Sequence, residues 1–159
     1  MSRPTPLAIS WLKRALRHEF GAVHQALLQS AVAERLGDSD LAEERATQAA
    51  EELHHARRFA VALAATGAGI DDGPPPGLPI GQTVPEILQA ALATEERAVK
   101  LYREAARACA PAAPLGVLFT EIGGEELAHL EELTRRLGRY SAFRHGTTRG
   151  PSRPIPTRS

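Results

Sequence analysis

Residues 67–82 restrict the fold more than any other part of this 159-residue chain. Nine of these sixteen positions are glycine or proline, which excludes a helix or a central β-strand across the segment. Sequence with helical periodicity lies on both sides, so the segment must be a long connection between helices. The chain is therefore divided into two helical halves joined by an irregular crossover.

Each half contains two predicted helices joined by a short connection. Their predicted ranges are 7–36, 40–66, 83–109 and 115–137. Gly37 and Gly138 are the expected ends of the first and fourth helices, and Thr83 with Glu86 forms a capping box at the start of the third. Connections in the order short, long, short predict an all-α fold, an antiparallel four-helix bundle with a long crossover between helices two and three.

The charge distribution separates a bundle from a tail. Residues 1–137 hold 19 acids against 14 Lys and Arg, whereas 138–159 hold five Arg, His145 and no acid. We therefore predict one domain over 1–138 and a basic C-terminal tail over 139–159. The tail contains Pro and Gly and has no helical period, so it is expected to be a solvated end or a segment that binds a shell or an acidic partner.

Composition excludes several classes of protein and of metal site. With 43% hydrophobic and 24% charged residues, the chain is globular rather than disordered. No apolar run approaches the roughly 18 residues of a membrane helix and no signal sequence is recognisable, so we expect a cytoplasmic protein with no membrane partner. The only cysteine, Cys109, excludes an internal disulfide and thiolate clusters. Any metal site must use Glu, Asp and His.

One acidic position lies on the apolar face of every predicted helix. Helices one and three each carry a glutamate there, and helices two and four each carry Glu-x-x-His, which places both side chains on one face. Four buried carboxylates need compensating charge, which two divalent cations would supply. This is the ligand pattern of dinuclear iron and manganese sites in helical bundles. The predicted metal ligands, which are also the candidate catalytic residues, are Glu19, Glu52, His55, Glu95, Glu126 and His129.

Neighbouring residues offer alternative ligands. Glu51 with His54 repeats the Glu-x-x-His spacing one residue earlier, but the apolar face of helix two continues from Glu52 and His55. Glu51 is therefore the next candidate. The other neighbours that we expect on different faces are Glu96, Glu125, His18 and His24, with the two histidines in solvent or at an interface.

Four segments of the chain resemble bacterioferritin, within the ferritin-like superfamily. LKRALRHEFGAVHQALL, EELHHARRF, LATEERAVKLYREAA and EELAHLEEL look like the metal-binding segments of that family, and the resemblance covers about residues 7–138. It implies a ferroxidase-type centre with two iron ions per chain, in which Fe(II) is oxidised by dioxygen or peroxide. It further implies that Glu52 and Glu126 bridge the metals, and that Glu19 with His55 and Glu95 with His129 complete the two sites.

Departures from that family bear on haem and on assembly. Leu53 replaces the methionine through which bacterioferritins bind haem between subunits, so haem is not expected by that route. The short fifth helix that closes storage cages has no counterpart in 139–159. We therefore expect a homodimer or a larger homo-oligomer without a storage cage, paired through helices one and two, where Trp11, Leu27 and Leu28 offer apolar surface.

Three functions are compatible with these features. The leading hypothesis is a di-iron oxidoreductase that oxidises Fe(II) for iron handling or detoxification. The alternatives are a di-iron or Mn/Fe oxidase or oxygenase that acts on a small organic substrate, and a metal-binding cargo or buffer protein. Ala22, Ala26 and Ala49 would leave room for an organic substrate or permit close helix packing, and Tyr102 is either a packed core residue or an electron donor.

Overall fold

A computed structural model describes residues 5–70, 73–110 and 113–146, and within these ranges all regular structure is helical. The helices are α1 (Pro6–Arg35), α2 (Ser39–Ala64), α3 (Val84–Ala108) and α4 (Pro114–Gly146). Helix α1 packs mainly on α2, α3 packs mainly on α4, and α1 also contacts α3. The predicted fold class, a four-helix bundle with a long crossover, is confirmed. None of the described helices has the length and apolar character needed to span a membrane.

The helix ends follow the local chemistry that the sequence predicts. Gly37 has a φ of 78°, which glycine adopts without strain, and it follows the end of α1. The Asp38 carboxylate then accepts a hydrogen bond from the Leu41 N–H at 2.9 Å and caps α2. At the start of α3, Thr83 Oγ1 accepts from the Glu86 N–H at 3.4 Å. The tight first connection makes α1 and α2 antiparallel neighbours.

The fourth helix is longer than predicted. It continues through Gly138 to Gly146, so the expected end at Leu137 is wrong, and the helix crosses the predicted boundary between bundle and tail. A glycine inside a helix costs only about 1 kcal/mol relative to alanine. Leu137 and Tyr140, on either side of this glycine, pack against the core and hold the helix together. The rest of the predicted tail, 147–159, lies outside the described residues.

The apolar core consists of two clusters, one toward each end of the bundle. One cluster contains Phe59, Tyr102 and Phe119, with ring centroids 5.3 to 6.1 Å apart. The other is aliphatic and includes Leu41 and Ile87. On every helix the predicted ligands fall between the residues of these two clusters, so they lie near the middle of the bundle.

Two buried glutamines of α1 fix the end of the crossover. Gln25 Nε2 donates to the Pro79 carbonyl at 2.7 Å, and Gln29 Nε2 donates to the Ile80 carbonyl at 3.0 Å. Gln29 Oε1 in turn accepts from Nε of the buried Arg45 at 3.0 Å. These bonds pair backbone carbonyls that proline-rich sequence leaves without a ladder partner. The irregular segment therefore has a defined course along α1.

Candidate metal centre

The six predicted ligands converge in the bundle. Their donor atoms form two overlapping groups, and within each group all the donor atoms lie within 4.8 Å of one another. The first group is Glu19, Glu52, His55 and Glu126, and the second is Glu52, Glu95, Glu126 and His129. Two glutamates, one from α2 and one from α4, therefore belong to both groups.

Burial distinguishes these residues from their neighbours. The four glutamates and His55 are at most 2% exposed, and the His129 side chain is 16% exposed. The alternative candidates on the same helices are exposed, namely Glu51, His54, Glu96 and Glu125. Helix geometry therefore places the preferred glutamate of each adjacent pair in the core.

Two of the exposed glutamates nevertheless contact the site across the bundle. Glu125 Oε2 lies 2.7 Å from His55 Nε2, and Glu51 Oε2 lies 3.0 Å from His129 Nε2. Each outer carboxylate thus fixes an imidazole of the opposite helix and leaves its Nδ1 directed at the cluster. Sequence reasoning rejected both as ligands and missed this role. The signal available was the repeated Glu-Glu-x-x-His, in which each first glutamate pairs with the other helix's histidine.

The inner nitrogen of each imidazole faces carboxylates. His55 Nδ1 lies 2.8 Å from Glu126 Oε1 and 3.2 Å from Glu52 Oε2. His129 Nδ1 lies 3.2 Å from Glu126 Oε2 and 3.5 Å from Glu52 Oε1. Burial alone would lower the pKa of both histidines, but these contacts outweigh it and raise each pKa to about 10.

The carboxylates divide into two classes by protonation. Burial, followed by repulsion from neighbouring carboxylates, raises the pKa of Glu19 and Glu95 well above the usual range. Burial also disfavours ionised Glu52 and Glu126, but hydrogen bonds to both histidines prevail and hold the pKa of these two below the usual range. Without a metal, protons compensate the buried negative charge.

Tyr102 links the site to the aromatic cluster. Its buried hydroxyl donates to Glu19 Oε1, and burial raises the pKa of the phenol, so it stays protonated as a donor. The His18 ring packs edge-on against Tyr102 with centroids 6.1 Å apart. His24 is exposed as expected, whereas His18 is half-buried and keeps only part of its surface open to solvent.

Gln48 is a further site residue that sequence reasoning missed. Its Nε2 donates to Glu52 Oε1 and also lies 2.6 Å from His129 Nδ1 and 3.5 Å from Glu95 Oε1. The residue precedes Glu52 by one helical turn, and that spacing was the available signal. The amide thus faces the second group of donors.

Two clefts reach the site between α2 and α4. A cleft of about 460 Å³ ends at His129, and a second, of about 440 Å³, reaches both imidazoles. The acids that line the first are Asp40, Glu43, Glu44, Glu51 and Glu132. A negative cleft concentrates cations near its floor.

The donor set fits a pair of divalent metal ions. Glu19 Oε2 is fully buried and has no hydrogen-bond partner among the described residues, which leaves a lone pair for a cation. Oxygen and imidazole donors without thiolate suit iron or manganese. Two divalent ions would also balance four ionised carboxylates.

Comparison with known proteins agrees with the geometry. A profile of the ferritin-like domain matches residues 9–143. No curated protein matches the chain in sequence. Among solved structures, the bacterioferritin of Rhodobacter capsulatus, determined with a metal-free dinuclear site and a haem iron in a crystallographic special position, matches with a TM-score of 0.84 and 26% identity, covering 89% of each chain. The chain is therefore a bacterioferritin-like member of the ferritin family.

Proposed function

We propose that this protein is a ferroxidase that oxidises Fe(II) with dioxygen or peroxide. The observation that carries the proposal is the pair of overlapping donor groups that share Glu52 and Glu126. Two metals held by shared carboxylates can each deliver one electron to the same oxidant. Overall, two Fe(II) reduce dioxygen with two protons to hydrogen peroxide, or reduce hydrogen peroxide with two protons to water.

Iron is the substrate in this proposal, and each half of the site would hold one ion. Glu19 with His55 would bind the first, Glu95 with His129 would bind the second, and the shared glutamates would contact both. The four carboxylates stabilise the increased positive charge of oxidised iron. Manganese in place of iron uses the same donors and is a second outcome of metal analysis.

The surrounding residues position the donors. Glu125 and Glu51 hold the outer nitrogens of the two imidazoles, so Nδ1 of each ring stays directed inward. Tyr102 holds one oxygen of Glu19 and leaves the other available. The acidic clefts between α2 and α4 would attract Fe(II) to the side where His129 is exposed.

The test is iron oxidation in a matched pair of variants. Anaerobic protein with two Fe(II) per chain is mixed with oxygen, and near-ultraviolet ferric absorbance is followed against buffer. Glu95→Ala should slow the reaction strongly, whereas Glu96→Ala, an exposed neighbour on the same helix, should not. Oxidation by the wild type no faster than in buffer, or equal rates in the two variants, would contradict the proposal.

Pairing and haem form the second part of the proposal. Phe20, Leu27, Leu28 and Leu53 are each at least 42% exposed on α1 and α2, which supports a homodimer formed through these helices. Trp11, expected on that surface, instead packs partly against the core. Light scattering should report a dimer rather than a particle of several hundred kilodaltons.

Leu53 offers haem iron no ligand atom, so haem-supplemented protein should lack a stoichiometric Soret band.

An oxidase for a small organic substrate is the second candidate. Ala22, Ala26 and Ala49 are buried and line none of the described clefts, so their proposed role in a substrate pocket is not supported. A different cleft, of about 340 Å³ between α3 and α4, reaches Tyr102 and Gly123 and is mostly apolar. If iron oxidation is no faster than in buffer, binding of small aromatic compounds to this cleft becomes the next measurement.

A further inference from the structure

A cleft of about 610 Å³ opens between α1, α3 and the crossover, away from the acidic clefts of α2 and α4. Its charged and polar lining residues are Arg14, Arg17, His18, Arg97, Lys100 and Glu104. Four of these side chains are permanent cations and one is an acid. Five acids and two arginines line the larger of the α2–α4 clefts, so it and the α1–α3 cleft carry opposite net charge.

Three of the cations have no carboxylate partner among the residues that the structure describes. The Arg14 guanidinium lies over the Trp11 ring, 4.3 Å from its centroid, and Arg97 Nη2 donates to Thr94 Oγ1 at 3.0 Å. Among the described residues, Arg14, Arg97 and Lys100 form no ion pair within 4.0 Å.

The arginines of the α2–α4 face differ in this respect. Arg58 pairs with Glu121 at 2.6 Å and Arg136 pairs with Glu44 at 2.9 Å. An anion that binds such a guanidinium must first displace a carboxylate. In the α1–α3 cleft an aromatic ring holds Arg14 and a hydroxyl holds Arg97, so an anion that binds these two displaces no carboxylate of the described residues.

We propose that this cleft binds a multivalent oxyanion, of the phosphate or polycarboxylate type, between the cations of α1 and α3. Guanidinium groups bind such oxygens through paired hydrogen bonds, and Lys100 adds a third positive charge from α3. Glu104 is the only acid in the lining, so the four cations leave the cleft with a net positive charge that favours a multivalent anion. The site is independent of the proposed iron oxidation, although His18 connects its wall to Tyr102.

Trp11 provides a reporter because it is the only tryptophan and contacts Arg14. The full chain without metal is titrated with sodium phosphate and, separately, with sodium citrate, at constant ionic strength set by sodium chloride. A saturable fluorescence change with either anion supports the site. The anion that binds more tightly shows whether the cleft prefers a phosphate or a polycarboxylate. A response equal to that of chloride for both anions would overturn the proposal.

Variants of three cations on α3 test whether the anion binds in this cleft. Arg97→Gln should weaken binding about tenfold, the loss expected for one charge-assisted hydrogen bond, and Lys100→Gln should weaken it less. Arg103→Gln removes another exposed charge of α3, one that lines a different cleft, and should leave binding unchanged. Equilibrium dialysis with radiolabelled phosphate gives a readout without fluorescence. Equal weakening by Arg97→Gln and Arg103→Gln would show nonspecific attraction and refute the site.

Discussion

The two halves of the candidate metal centre contain the same residue types in different surroundings. His55, beside Glu19, is 1% exposed, and its partner glutamate accepts a hydrogen bond from Tyr102. His129, beside Glu95, is 16% exposed and borders a cleft with five acids. Identical donors therefore lie in one more buried half and one more accessible half. The difference predicts that the surroundings, more than the donors, would control access and exchange of the proposed metal ions.

The shared glutamates should matter most, because both halves depend on them. Glu52→Ala should reduce the metal content from about two ions per chain to near zero. The helices should remain folded, because the two apolar clusters stabilise the bundle. Metal analysis with circular dichroism measures both effects, and Glu96→Ala on α3, which lines none of the described clefts, is the exposed control. Full metal occupancy in Glu52→Ala would transfer the role to Glu51.

Glu19 and Glu95 each belong to only one donor group, so replacing either should affect only one half of the centre. Glu95→Ala should keep one ion in the more buried half, and Glu19→Ala should keep one in the more accessible half. In a chelator challenge the ion retained by Glu19→Ala should be released about tenfold faster, because the exposed imidazole side admits water and competing ligands. Equal release rates would show that the acidic cleft does not govern exchange.

The outer carboxylates allow a closely matched comparison. Glu125 and Glu51 are 49% and 50% exposed, and each contacts one imidazole. Glu125→Gln should weaken the ion beside His55, and Glu51→Gln the ion beside His129, each by about 10- to 100-fold. Stepwise titration with Co(II) distinguishes the two sites by their spectra. Loss of the same step in both variants would argue against separate positioning roles.

The stability of the metal-free chain should depend on pH through the titratable donors of both halves of the metal centre. The histidine pKa values are about 10 in the folded chain and about 6.5 when unfolded, so their stabilising contribution is complete below about pH 6.5. It should be lost as the pH rises toward 10, and the raised pKa values of Glu19 and Glu95 act in the same direction. Thermal unfolding with chelator should show this decline. Metal binding should release these protons, so metal-loaded protein should not show the decline in stability.

Tyr102→Phe should have the smallest effect on iron oxidation. It removes one hydrogen bond from Glu19 but keeps the ring in the aromatic cluster, so the free energy of unfolding should fall by about 1 kcal/mol. Oxidation should slow mildly or not at all. Chemical denaturation and stopped-flow absorbance measure the two quantities. A large loss of rate with unchanged metal content would instead support an electron-donating role for this tyrosine.

The sequence by itself determined the four helices, the crossover and the six converging donors. Helical periodicity identifies the buried face of each helix, and glycine with proline excludes regular structure between the halves. These are local properties, because each depends on residues within one or two turns. The choice of Glu52 over Glu51 followed from the same local spacing.

Only the tertiary structure decided which residues support those donors. The contacts of Glu125 with His55 and of Gln48 with His129 join α2 to α4, and they depend on the relative rotation and offset of the helices. The continuation of α4 past Gly138 likewise depends on packing of Tyr140 against other helices. Spacing within one segment carries no information on such offsets, because side-chain packing between helices fixes them.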